Sequence, residues 1–411
     1  MNVLFPRCAG IDVHKETVVV CVRRMGTGGR ATEAVRTFGT TTTALLTLGD
    51  WLIAEGVTHA AMESTGVYWK PVWHLLEERV ELLLVNAQHI KQVPGRKTDV
   101  KDCVWIAQLL QHGLLKASLV PPRPQQQLRE LTRQRAQLVG EQGRACQRIQ
   151  KVLEDANIKL ASVATDVLGV SGRLMLRSLI DGEADPAKLA DLAQRQLRRK
   201  LPALREALRG KVTEHHRFLL KLHLEHYDHL EQAIGQLNCR IDAQLAPFAE
   251  ARELLMTIPG IAQRTAEVIL AEIGTDVTPF PTSGHLASWA GLCPGNNESA
   301  GKRRTGTMRK GGHWLRTALI QAAWAASRSK DTYLASHFKR VAARRGRKRA
   351  VASLAHTLLV IVYHVLSRRQ EYQELGADYL DRLDPRRVSH RLVKRLERLG
   401  YKVTIEAQIA V

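Results

Sequence analysis

The chain has 411 residues, enough for two or three domains that each bury a core. Lys and Arg outnumber Asp and Glu by 61 to 40, an excess that points to a polyanionic partner. No stretch has about 18 uncharged apolar residues, no N-terminal apolar signal is visible, and the six cysteines form no C-x-x-C pair. The expectation is a protein of a reducing compartment, cytoplasmic or nucleoid-associated, with no membrane span, zinc ribbon or disulfide framework.

Residues 1–120 alternate short β-branched runs with amphipathic ones. Cys8 to Asp12 reads as a strand closed by an acid, and Thr17 to Val22 as a second strand. A third strand is expected at Ala34–Thr37, a helix at Thr42–Glu55, and a strand from His59 that ends on Glu63. A helix near Val67–Arg79 and a strand at Glu81–Val85 follow. This order predicts a mixed sheet with packed helices, whose polar groups sit at strand ends and loops. A further helix is expected from about Thr98 to about His112, with Thr98 as its N-cap. Asp99 and Asp102 fit ordinary first-turn acids beside the helix dipole. They equally fit one half of a divalent-metal site, because carboxylates three apart share a helix face. Lys97 and Lys101 beside them suit a phosphate-bearing ligand.

Pro121-Pro122-Arg123-Pro124 breaks the chain. Two long polar helices with narrow apolar stripes are expected at about Gln125–Asn157 and Val212–Leu245, as an antiparallel hairpin or coiled coil. The histidines at 215, 216, 223, 226 and 229 drift around the second helix and lack a metal-binding pattern. Beyond residue 250, Ile258-Pro259-Gly260-Ile261 lies between two apolar helical runs, which suggests a helix-hairpin-helix whose turn amides, at Gly260, contact a phosphate. A polar, basic, Gly-rich loop spans Cys293 to Gly306 and fails the P-loop spacing. In it Ser299 could attack a phosphate, with Lys302, Arg303, Arg304, Arg309 and Lys310 neutralising charge. The run Arg344, Arg345, Arg347, Lys348 and Arg349 favours nucleic-acid backbone contact. The apolar run Leu354–Leu366 reads as a buried helix, and Tyr401–Ile405 as a short strand.

Three stretches carry a more specific signal: Gly10-Ile11-Asp12-Val13-His14-Lys15, Met62-Glu63-Ser64-Thr65-Gly66, and Lys97-Thr98-Asp99-Val100-Lys101-Asp102. They resemble the three blocks of the DEDD transposases, insertion-sequence recombinases with a RuvC-like catalytic domain. Gly291-Leu292-Cys293-Pro294, Ser299-Ala300-Gly301 and Lys310-Gly311-Gly312 are similar to the family's second block, although the family often has Gly where Ala300 stands. The resemblance implies that Asp12, Glu63, Asp99 and Asp102 hold Mg²⁺, as a pair of ions, and that Ser299 forms a phosphoserine link to DNA. It also implies donor and target DNA, a structured bridge RNA as guide, and dimers pairing into tetramers. The expected fold class is α/β plus α. An RNase H/RuvC-like mixed sheet (1–120) precedes a helical coiled-coil segment (121–250), a mainly helical domain with helix-hairpin-helix and serine loop (251–370), and a tail (371–411). A site-specific invertase, a hydrolytic junction resolvase and a non-catalytic nucleic-acid-binding protein stay open as alternatives.

Overall fold

The computed structural model describes residues 3–26, 30–64, 66–87, 90, 102–293, 297–299, 302–305 and 313–406. They fall into two compact units, Met1–Pro121 and Pro122–Val411.

The first unit is built on five strands: β1 (Arg7–Val13), β2 (Thr17–Met25), β3 (Ala31–Gly39), β4 (His59–Glu63) and β5 (Glu81–Val85). Their spatial order is β3-β2-β1-β4-β5, with β1, β2 and β3 antiparallel and β1, β4 and β5 parallel. Both faces of β1 are covered, so its residues divide by parity. Ala9, Ile11 and Val13 pack with Val18, Val20, Ala60 and Met62 against helices α1 (Thr42–Ala54) and α2 (Trp69–Leu76). Cys8 and Ala61, on the opposite face, meet helix α3 (Asp102–Gln111) through Ile106, Leu109 and Leu110. The result is three layers, helix pair, sheet, helix. The far end of α3 is tied to the sheet, since Arg23 Nε donates to Gln111 Oε1 at 2.6 Å.

Among the described residues the second unit is helical apart from one hairpin. Helix α4 (Arg123–Asp155) and helix α5 (Glu214–Leu245) lie side by side. Arg135 Nη1 donates to Asn238 Oδ1 at 3.2 Å, and His216 Nε2 meets Asp155 Oδ2 at 2.9 Å, a pairing that only an antiparallel arrangement allows. Between them, residues 157–212 fold into a tip of short helices with its own core, including Leu160, Met175, Leu176, Leu189 and Leu204. Helices α6 (Ala249–Met256), α7 (Gln263–Ile273), α8 (Ser283–Trp289), α9 (His313–Ala326), α10 (Tyr333–Arg345) and α11 (Arg347–Arg368) follow. A window of α11 is long and apolar enough to cross a membrane, contrary to the expectation of no such segment. Half of that window is buried in the protein, where Leu354, Leu358, Leu359 and Val362 form the centre of the helical layer. The tail ends in helix α12 (Pro385–Glu397), and residues 401–406 form no strand, correcting that expectation. A lone β-branched run with no partner strand leaves its backbone groups to water.

The joint between α4 and α7 is polar and buried. Arg135 and Glu267, 5% and 2% exposed, form an ion pair, and Arg133 binds Glu272 with two hydrogen bonds of 2.8 and 2.9 Å. Arg129 and Gln125 donate to the Ala271 carbonyl at 3.1 and 3.2 Å, closing the carbonyl end of α7. Arg135→Ala leaves Glu267 charged in the interior, and urea denaturation should show a loss of about 3–5 kcal/mol. The double variant Arg135→Met/Glu267→Leu should recover most of it, since no charge is then stranded.

Candidate active site

Strand register brings the first two acids together. Ile11 pairs with Met62 across parallel β1 and β4, so the next residues, Asp12 and Glu63, stand at the same end of adjacent strands. Parity puts both on the α3 side, with Gly10 and Ala61. Asp12 and Glu63 are half-buried, while Asp102 opens α3 and is exposed.

The third acid arrives through a close approach of backbone to backbone. A Cβ placed on Gly10 would lie 2.1 Å from the Cys103 carbonyl oxygen and 2.4 Å from the Ala107 nitrogen. Only glycine lets α3 lie this near β1. The surroundings are correspondingly small: Cys21, Cys103 and Ala107 form one buried cluster, and Cys8 Sγ reaches the Ala107 carbonyl at 3.5 Å. Burial pushes the Cys8 thiol to about 11 and the Cys21 thiol to about 12, so both remain protonated packing groups near neutral pH. With α3 seated on Gly10, its first residue, Asp102, comes within electrostatic reach of Asp12.

Burial raises the Asp12 carboxyl above its ordinary value, and the Asp102 charge raises it further. His14 acts the other way, with its Nε2 at 3.1 Å from Asp12 Oδ2. Gly10 and His14 were not singled out in the sequence as site residues. A glycine inside a strand and a histidine in a turn look ordinary until a helix and a carboxylate are found beside them.

Among the described residues, no three His, Cys, Asp or Glu groups stand together as a preformed metal cage. The predicted fourth acid, Asp99, lies outside the described residues, as do Lys97, Lys101 and the expected helix start at Thr98. The donor chemistry nevertheless fits a hard divalent cation: all the acids offer oxygen, and two repel each other in a half-buried setting that a cation would relieve.

Ser299 belongs to the second unit. The stretch expected as a loop is a hairpin, with β6 (Asn297–Ser299) antiparallel to β7 (Lys302–Thr305). Ser299 pairs with Lys302 and Glu298 with Arg303, so the serine is the last residue of β6. Polar residues without apolar alternation gave no strand signal here. Arg304 is also on β7, whereas Arg309 and Lys310 lie outside the described residues. Gly260 occupies the turn between α6 and α7 with φ +92°, and its Cβ would fall 2.5 Å from the Ala322 carbonyl. Its requirement is therefore explained by packing on α9. Arg344, Arg345, Arg347, Lys348 and Arg349 are all exposed at the corner where α10 turns into α11. None of the five has an acidic partner among the described residues.

Three outcomes test this geometry. Because folding raises the Asp12 pKa, ionised Asp12 costs stability. The native state is favoured below the ordinary carboxylate pKa and loses that advantage as pH rises through the raised value. At neutral pH without divalent ions, Asp12→Asn should therefore raise Tm, by about 2 °C given solvent screening. Adding Mg²⁺ should raise the Tm of the wild type and leave Asp12→Asn unmoved. Gly10→Ala should force α3 off the sheet and lower stability by about 1–3 kcal/mol, measured by thermal unfolding.

Comparison with known proteins gives a consistent picture. A transposase family model, DEDD_Tnp_IS110, matches residues 9–158, and the model of the transposase IS116/IS110/IS902 family matches residues 252–340. Together the two stretches make up more than half of the chain. The transposase for insertion sequence element IS1111A of Coxiella burnetii is 31% identical over 147 residues, which is 35% of this chain and 40% of that protein. An insertion element IS110 protein of Streptomyces coelicolor is 32% identical over 140 residues, 33% of this chain and 34% of its own. The pilin gene-inverting protein of Moraxella bovis is 30% identical over 124 residues, 29% of this chain and 38% of its own. The matched stretches thus span less than half the length of these relatives. With both family models matched in the order N-terminal then C-terminal, the chain belongs to the IS110-type DEDD transposase family of insertion sequences.

Proposed function

We propose that the protein is a DNA transposase, or recombinase, of an insertion sequence, which cuts and rejoins strands by phosphoryl transfer. The observation that carries this reading is the placement of Asp12 and Glu63 at the same end of adjacent strands, with Asp102 in electrostatic reach of Asp12. The strand order β3-β2-β1-β4-β5, with Asp12 next to last in β1 and Glu63 last in β4, supports a RuvC-like catalytic domain.

In this reading Asp12, Glu63, Asp99 and Asp102 hold Mg²⁺, as a pair of ions. When bound, the metal supplies charge neutralisation at the scissile phosphate. The chain's own residues do the rest. The sheet and α3 hold the carboxylates in place, and His14 orients Asp12 through its 3.1 Å contact. Ser299 Oγ attacks phosphorus, forming the O–P bond of a phosphoserine while the P–O bond to the neighbouring nucleotide breaks and leaves a hydroxyl. Attack by the hydroxyl of another strand reverses the step and releases the serine. Lys302, Arg303 and Arg304, on β7, offset the developing negative charge. Arg344 to Arg349 would hold the DNA backbone without reading its sequence. A bridge RNA, and assembly as a dimer or tetramer, complete the proposal by family resemblance. Site-specific DNA inversion, after the gene inversion in the name of the Moraxella bovis relative, is the second reading.

The test is cleavage of cognate element-end DNA with Mg²⁺. Wild type should form a covalent protein–DNA adduct, Ser299→Ala should form none, and Asp102→Ala should cut at least about a hundredfold more slowly. Cutting that persists in Ser299→Ala without adduct would replace the serine mechanism by hydrolysis. Sequencing of copurifying nucleic acid should give one discrete structured RNA, and a random mixture would count against guidance.

A further inference from the structure

We infer that the tip of the helical arm carries its own contact for a phosphodiester backbone, made by Arg195, Arg198 and Arg199. The tip, residues 157–212, lies almost wholly outside both matched family stretches, which end at 158 and resume at 252. The inference rests on the nucleic-acid reading above and adds a site which that reading does not use.

The three arginines stand on a 3₁₀ helix, Arg195–Lys200, whose sequence is Arg-Gln-Leu-Arg-Arg-Lys. Leu197 packs against the tip core and the arginines are exposed. Entry to this turn is held by the Gln194 N–H, which donates to Ser171 Oγ at 2.9 Å, and Arg195 is fixed at φ +53°. A 3₁₀ helix has three residues per turn and a rise of about 2 Å per residue. Arg195 to Arg199 therefore spans at most about 8 Å along this turn, which concentrates three positive charges within reach of neighbouring phosphates.

What separates these arginines from most other tip cations is their lack of counter-charge among the described residues. Lys188 pairs with Glu183 at 3.4 Å, Arg205 with Asp191 at 3.4 Å, and Arg209 with Glu206 at 3.6 Å. Arg173 binds both Asp228 and Glu231 at 2.8 Å. Arg195, Arg198 and Arg199 have no acidic partner among the described residues. Beside them opens a cavity of about 380 Å³, lined by Asp166, Ser171, Gln194, Arg195, Leu197 and Lys200 among others. The Asp166 carboxylate in its wall accepts the Leu168 N–H at 3.0 Å, and Lys200 Nζ donates to the Val163 carbonyl at 3.1 Å. The cavity wall thus includes the guanidinium of Arg195, whose planar fork matches phosphate oxygens, and Arg198 and Arg199 follow it on the same short helix.

The test is binding of two labelled probes by the full-length protein across a salt series: a DNA duplex of about 40 bp and a structured RNA of similar length. Arg195→Ala/Arg198→Ala/Arg199→Ala should make the slope of log K against log salt shallower by about 2–3, since each phosphate contact contributes roughly 0.7–0.9. The triple Arg-to-Lys variant should keep the wild-type slope, which separates lost charge from lost folding. A change with the duplex alone assigns DNA to the tip, and a change with the RNA alone assigns RNA. A steep wild-type slope that the Ala variant leaves unaltered on both probes overturns this site while sparing the proposed function. A wild type with no salt-dependent binding overturns both.

Discussion

The first unit depends on the contact between Gly10 and helix α3. A strand and a helix usually meet through side chains that keep their backbones well apart. Here Gly10, Cys103 and Ala107 remove that spacer, and the helix backbone rests directly on β1. The consequence is chemical as well as structural. Asp102 opens the helix and is delivered to Asp12, two residues beyond the glycine, and Glu63 already stands on the neighbouring strand. Burial first, and the Asp102 charge after it, push the Asp12 carboxyl above its ordinary value, so ionised carboxylates in this corner are unfavourable in isolation. Tight small-residue packing offsets this cost, and a divalent cation would turn it into affinity.

The second unit meets a different constraint. Its long arm must be joined firmly to the helices that follow, and the joint is made of charge. Arg129, Arg133 and Arg135 of α4 engage Glu267, Glu272 and the carbonyl end of α7. A buried ion pair is a weak source of net stability, yet losing one partner is severe. Such a joint fixes one alignment of arm and module in preference to a sliding apolar contact. Directly beyond this joint the chain runs through α8 into the hairpin that bears Ser299.

Much of this was legible in the sequence where a local signal existed. The Val-rich run of β2, the short apolar runs leading to Asp12 and Glu63, and the two long arm helices announced themselves. Tertiary facts were not legible. The arginines at 129, 133 and 135 resemble a solvated helix face, and only the opposing glutamates of α7 reveal them as interior groups. The Ser299 hairpin has no apolar alternation to betray it. Tyr401–Ile405 has strand-like residues and no partner. Gly10 illustrates the general limit: a glycine in a strand shows that something approaches closely, not what.

The most direct measurement is a crystal structure of the protein soaked with Mn²⁺, read by anomalous scattering. Manganese takes the same oxygen donors as magnesium and is visible by its own signal. The account predicts a peak bounded by Asp12, Glu63 and Asp102, lost in Asp12→Asn. No peak at that corner at saturating Mn²⁺, or a peak that survives Asp12→Asn, would contradict it.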